Sequence, residues 1–378
     1  MHAAIYVARP QQSATARAWT AEFVGHVTVG LPKIPNCSRR STPIQDPSMI
    51  KKSLLAAVVA TLASAGAQAQ SVSLYGLVDM SVVNTKAPGA ATASTQAQSG
   101  NMTTSFYGFR STENLGGGLR AEAVAEGFLR ATNGAAGRFD GDPLFSRTAS
   151  VGLSGGFGSV ALGRLTNPLF VNNLIFNALG DSFGFSPAIR MLHLSAGQAS
   201  GDTGWNEAIR VTLPRIGGAT VNVVHALKGS RPGANTNVSA LYFAGPLSLG
   251  ASWQEVRRRD GAPGSVGASE SDAWQIGAAY DLKTVKLFAQ VGKVENITFK
   301  TNYDHMGVGA SVPMGPNGKI LAQYSSMEPS NAKASKTTSL AYDHFLSKRT
   351  DLYAVYMNEQ VPGRSTGTTY GVGIRHRF

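Results

Sequence analysis

Apolar and polar residues alternate along this chain in runs of about ten, and the breaks between runs are short and long by turns. SVSLYGLVDMSVV is the first run, with Val72, Leu74, Gly76 and Val78 on one side. VNVVHALK, NVSALYFAG, LSLGASWQEV, AWQIGAAYD, VKLFAQVGKV and DLYAVYMNE are others. A period of two puts successive side chains on opposite faces of a strand, and no comparable stretch has the 3.6-residue period of a helix. NLGGG, SGGFGS, PRIGG, AGP, DLKT, MGPNG and LSKR are the short breaks, separated by longer polar ones such as ATNGAAGRFDGDP and RRRDGAPGSVGASES. Seven tight turns between long loops make eight hairpins, hence about 16 strands. A soluble sandwich has no reason for such regular asymmetry. An up-and-down barrel in an outer membrane does, with brief turns at one rim and extended loops at the other.

Part of the chain stands outside that pattern. MIKKSLLAAVVATLASAGAQAQ, from Met49, has a charged start at Lys51 and Lys52, an apolar core and an A-x-A site ending at Ala69. Residues 49–69 therefore read as a secretory signal, since the apolar core is too short to span a bilayer. The stretch before Met49 lacks periodicity and is rich in Arg, Pro and Ser. The expectation is that translation starts at Met49 and that residues 1–48 are a non-structural extension. Within 70–378 the balance is 27 Lys+Arg against 20 Asp+Glu, scattered rather than clustered, which does not suggest nucleic acid. The single cysteine, Cys37, precedes this segment, so no disulfide is available to it.

Residues 70–378 shared among sixteen strands allow about 19 each, enough for a tilted membrane strand of ~10 residues and its connection. That number of strands leaves a water-filled bore, where eight would be filled by side chains. The expected fold is all-β: a transmembrane, antiparallel, 16-stranded barrel over 70–378. The ending TTYGVGIRHRF fits it. Tyr370, Val372, Ile374 and Phe378 face lipid, with Tyr370 and Phe378 at the interfacial girdles. Arg375, Arg377 and the glycines face water, and His376 is tolerable at headgroup level. A barrel can end mid-strand because its last strand pairs with its first.

Five segments in order carry a family resemblance: QSVSLYGLVDM, GFRSTENLGGGL at 108–119, FSRTASVGLSGGFGSVALGR at 145–164, YDHFLSKRTDLYAVY at 342–356, and YGVGIRHRF. Together they resemble the trimeric general porins of Gram-negative bacteria, of the beta-proteobacterial kind. The resemblance implies a homotrimer in the outer membrane, in contact with its lipid and lipopolysaccharide. It implies passive passage of ions and small hydrophilic solutes, with no cofactor and no enzymatic step. It also implies that the terminal strand, with Tyr370 and Phe378, is read by the barrel-assembly machinery.

In such porins the third outer loop folds into the bore. The longest break here, TNPLFVNNLIFNALGDSFGFSPAIRMLHLSAGQASGDTGWN, falls between the fifth and sixth strands and is rich in Leu and Phe, which argues for packing inside the barrel. By resemblance, Asp181 stands at the constriction, with Asp202 and Glu207 as further acids. Arg110, Arg147, Arg164 and Glu126 stand on the facing wall. Opposed charges across a narrow bore set ion preference.

The chain also departs from the family pattern. Phe106 occupies a position usually held by Arg, and GDTGWNEAIR has no Arg before Arg210. LRAEAVAEGF sets Ala121, Ala123 and Ala125 on the expected lipid face. Two alternatives follow: a substrate-selective channel, or a closed structural or adhesive barrel plugged by Phe106 and Trp205. GLSGG at 152–156 reads as a turn rather than a nucleophile elbow, which needs a strand-to-helix bend. The seven histidines are dispersed without metal spacing.

Overall fold

The computed structural model describes residues 70–194, 202–230, 233–258 and 269–378. The expected extension (1–48) and signal (49–69) lie outside them.

In chain order the strands begin with β1 (Gln70–Lys86), β2 (Ser94–Ser99), β3 (Phe106–Gly116), β4 (Leu119–Arg130) and β5 (Ala135–Ala136). β6 (Thr148–Gly155), β7 (Gly158–Thr166), β8 (Gly204–Thr212), β9 (Ala219–Ala226) and β10 (Asn235–Ala244) follow. Next come β11 (Leu247–Val256), β12 (Ser271–Asp281), β13 (Lys286–Asn296) and β14 (Thr301–Met314). The last are β15 (Gly318–Pro329), β16 (Ser335–Phe345), β17 (Thr350–Gln360) and β18 (Gly367–Arg377).

Neighbouring wall strands are antiparallel, and β1 closes the sheet on β18, from Leu77↔Arg377 to Lys86↔Thr368. β2 and β3 share one position in the wall, pairing with the far and near halves of β1. β5 adds only a two-residue ladder to β4. The result is the closed antiparallel barrel of 16 strands that the turn spacing predicts. All seven short breaks are tight connections. The first long break is shorter than its sequence suggests, because β1 runs on to Lys86 and β2 resumes at Ser94. The chain instead leaves the wall between β2 and β3, at residues 100–105.

The two faces divide as the alternation requires. On β1, Leu77, Asp79, Ser81 and Val83 are buried inside, while Val72, Leu74 and Val82 are exposed outside. On β18, Tyr370, Val372, Ile374 and the terminal Phe378 lie on the outer face, and Arg375 is buried within. His376, also outward, bonds Thr350 Oγ1 at 2.8 Å. An apolar outer ring on this scale belongs in lipid rather than water. Ala121, Ala123 and Ala125 pair with Glu113, Ser111 and Phe109, so they face outward in register; the only slip between β3 and β4 is at Asn114/Gly116.

The third outer loop, between β7 and β8, lies inside this wall. Asn167 caps helix α1 (Pro168–Ile175) by accepting from Leu169 N at 2.8 Å, and a proline opens the helix, where its missing N–H costs nothing. Asn177 folds the next turn: its Nδ2 donates to Asn173 O at 2.7 Å and its Oδ1 accepts from Leu179 N and Ser186 Oγ. Leu169, Met191 and Leu192 then pack on Ala273, Val294 and Met327. Leu179 and Phe185, with Met102, pack on Val83, Leu321, Ala341 and Val355. The Phe176 ring comes so close to β11 and β12 that a Cβ on Gly250 or Gly277 would lie 2.3 Å from it. The loop is thus a packed inner layer against one side of the wall.

Candidate pore constriction

The opposite side of the wall carries charge. Tyr75 on β1 donates its hydroxyl to Glu126 Oε1 on β4 at 2.6 Å. Glu126 Oε2 takes the guanidinium of Arg147, the residue just before β6, which also lies 4.0 Å above the Phe106 ring. Arg110 on β3 sits 5.5 Å over the Tyr75 ring and 3.6 Å from Glu122. Arg110, Glu126 and Arg147 are therefore brought together, with Tyr75 joining them. The pairing rests on strand register, since Gly108 lies opposite both Tyr75 and Glu126. A Cβ at Gly108 would be 2.8 Å from Glu126 Cγ and 3.0 Å from the Tyr75 ring.

Asp181 lies on the loop facing this group. Thr103 Oγ1 donates to its carboxylate at 3.3 Å, and Arg375 Nη1 donates to the same hydroxyl at 3.0 Å. Burial pushes the Asp181 carboxyl up, against the attraction of Arg147 and Arg375. An acid on the loop and a cation on the wall thus act on each other across the interior.

Arg164 is elsewhere. Its Nη2 donates to Asp202 at 3.0 Å, its Nη1 to Asn206 at 2.7 Å and its Nε to Ser146 O at 2.5 Å. Asp202 also accepts from Arg138 Nη1 at 2.8 Å, and Arg138 holds Asp142 at 3.0 Å. Burial alone would raise the Asp202 carboxyl, but Arg138 and Arg164 outweigh it and hold the group below its usual range. Arg164 and Asp202 fasten the exit of the third loop to the wall and to the preceding outer loop. Glu207 pairs with Arg258 at 2.9 Å, away from Asp181's partners.

The two possible plugs are accounted for. Trp205 is buried in a cluster with Leu165, Ala208 and Val224. Phe106 lies under Arg147.

Sequence reasoning assigned no role at the constriction to three further residues. Asp79 accepts the Met102 and Thr103 amides at 2.6 and 2.8 Å and the Tyr353 hydroxyl at 2.6 Å, which fixes the break between β2 and β3. Arg375 binds Asp351 at 2.7 Å and Asp343 at 3.0 Å as well as Thr103. Arg210, opposite Ala161 on the inner face of β8, has no ion pair or hydrogen bond among the described residues. Inward parity was the available signal for each.

The comparisons with known proteins agree with this architecture. A profile of the Gram-negative porin family matches residues 55–363. Outer membrane porin protein 32 of Delftia acidovorans is 30% identical over 367 residues, covering 87% of this chain and 100% of its own. An outer membrane porin of Bordetella pertussis is 27% identical with the same coverage. Among solved structures, the anion-selective porin from Comamonas acidovorans superposes with a TM-score of 0.69 at 25% identity, over 82% of this chain and 100% of that one.

Proposed function

Because the chain belongs to the Gram-negative porin family, we propose that its barrel is a general diffusion porin of the outer membrane, narrowed by the third loop and tuned by the charges around Asp181 and Arg147. Ions and small hydrophilic solutes move down their gradients through water, and no bond is made or broken. One observation carries this reading: Arg110 and Glu122, inside a closed wall, keep 49% and 47% of their side-chain surface exposed. Water reaches them, which supports an open lumen at this level of the wall.

Selection then follows from size and field. Arg147 attracts anions less than a bare cation does, because Glu126 shares its charge, while Arg210, which feels Glu122 but forms no ion pair among the described residues, adds a positive charge to the wall. Arg210 supports a preference of the same sign as that of the anion-selective Comamonas porin, and the pairing of Arg147 with Glu126 moderates it. Arg110 is partly neutralised by Glu122, and Arg164 acts indirectly by holding the loop.

Assembly belongs to the same proposal. Between Phe109 and Glu113, the outer faces of β3 and β4 present Ser111, Ala121, Ala123 and Ala125, a shallow stretch that lets another barrel approach closely. A homotrimer uses such a face, and OmpT of Vibrio cholerae has been solved in a trimer form. Tyr370 and Phe378 supply the outward aromatic ends of a strand suited to the assembly machinery.

Liposome swelling tests the channel. The expected outcome is swelling that falls steadily as sugar size increases and does not saturate with concentration. Saturable uptake of one solute would favour a selective channel, and absence of swelling would favour a closed barrel.

A further inference from the structure

A cavity of about 430 Å³ lies inside the barrel beside the loop tip, between the β4–β6 connection, the break between β2 and β3, and the third loop. Arg130, Arg138 and Arg190 line it together with Phe128, Phe139 and Phe183. We propose that this cavity binds an aromatic carboxylate, a flat ring bearing one carboxyl group, on the solute's way to the bore. The proposal rests on the diffusion reading for its route but adds a solute class to it.

The charge points to an anion. Among the lining residues Asp202 is the only carboxylate, and Arg138 and Arg164 already occupy it, while Arg190 is paired with Glu359 at 2.7 Å. Arg130 gives one nitrogen to Asp140, at 2.6 Å, on a side chain that is almost wholly exposed. Its Nε is buried and has no acceptor among the described residues. The Arg130 side chain as a whole keeps 26% of its surface exposed, and there a carboxylate oxygen can reach the guanidinium.

The rings point to an aromatic group. Arg138 lies 5.3 Å from the Phe128 centroid and 5.4 Å from that of Phe139. Its nitrogens are tied to Asp142 and Asp202, so this stack is a fixed platform. Phe183 is held across the cavity by stacking on Phe170 at 5.8 Å. Phe139 nevertheless remains 51% exposed in a wet cavity, where an apolar ring gains nothing unless something flat covers it. Concave sites of this size, mostly apolar with a few converging polar groups, suit small ligands.

Benzoate, acetate and benzyl alcohol separate the two requirements. Each is titrated into the detergent-solubilised protein by calorimetry, and each is added during single-channel recording. Benzoate is expected to bind saturably and to interrupt the current at about one-tenth the concentration needed for either of the others. Arg130→Gln should remove its advantage over benzyl alcohol, and Phe139→Ala its advantage over acetate, with heat-modifiable gel migration showing that both variants are folded. Equal affinity for the three probes, or an advantage surviving both substitutions, overturns the proposal. A protein that binds benzoate but conducts nothing keeps this site and loses the diffusion reading; one that conducts salt without preferring any probe does the reverse.

Discussion

Arg147 cannot act as a bare cation, because Glu126 shares its charge and Tyr75 holds Glu126 in place. Arg147→Glu leaves two carboxylates facing each other near Asp181. The expected result is a reversal potential in a salt gradient displaced toward cations, whereas an unmoved potential removes Arg147 from the constriction. Asp181 supplies the pH dependence. Its carboxyl titrates above the ordinary 3.8 because it is buried, so acidification discharges it before an ordinary carboxylate. Anion preference should therefore rise as pH falls toward that value, and Asp181→Asn should show the acid behaviour already at neutral pH with this step abolished. The motifs FSRTAS and GFR pointed to Arg147 and Arg110 as cations of the inner wall. What the sequence could not show is which charges cancel, since that depends on register between strands and on a loop more than thirty residues away along the chain. Arg164 matched a wall position yet serves the loop, for the same reason.

The third loop owes its place to packing more than to charge. Its Leu and Phe content was legible as an inner layer, but the glycines that admit Phe176 belong to β11 and β12, far along the chain. Gly277→Val should force that ring off the wall, at a cost of about 1–3 kcal/mol for overpacking. The expected signs are a lower unfolding temperature and noisier single-channel current. The loop's exit is held by Asp202 between two arginines. Removing the shared carboxylate from such a half-buried set costs about 2 kcal/mol, so Asp202→Asn should expose the loop to proteolysis in the folded barrel. Because the Asp202 carboxyl is held below 3.8, its contribution is fully present above that pH and is lost as pH falls through the lower folded value. Wild type should thus acquire the same protease sensitivity in strong acid.

The whole barrel was the most legible level, because a period of two and alternating connection lengths survive without knowledge of any contact. Closure was legible too in the tail. Phe378 exchanges backbone hydrogen bonds with Gly76 at 3.1 and 3.2 Å, and a Cβ on Gly76 would meet the Phe378 ring at 2.5 Å. The break between β2 and β3 was not legible, because it depends on Asp79 of the adjoining strand β1 capturing two amides of the break. For assembly, Ala123→Trp should abolish the trimer band on unheated gels while leaving the β-sheet spectrum intact; an unchanged band would place the subunit contact elsewhere. The central claim, a closed and water-filled bore, is tested most directly by single-channel recording of purified protein in planar bilayers across a range of salt concentrations. The expected result is discrete openings whose conductance rises in proportion to salt. Absence of steps, or conductance that saturates at low salt, would contradict it.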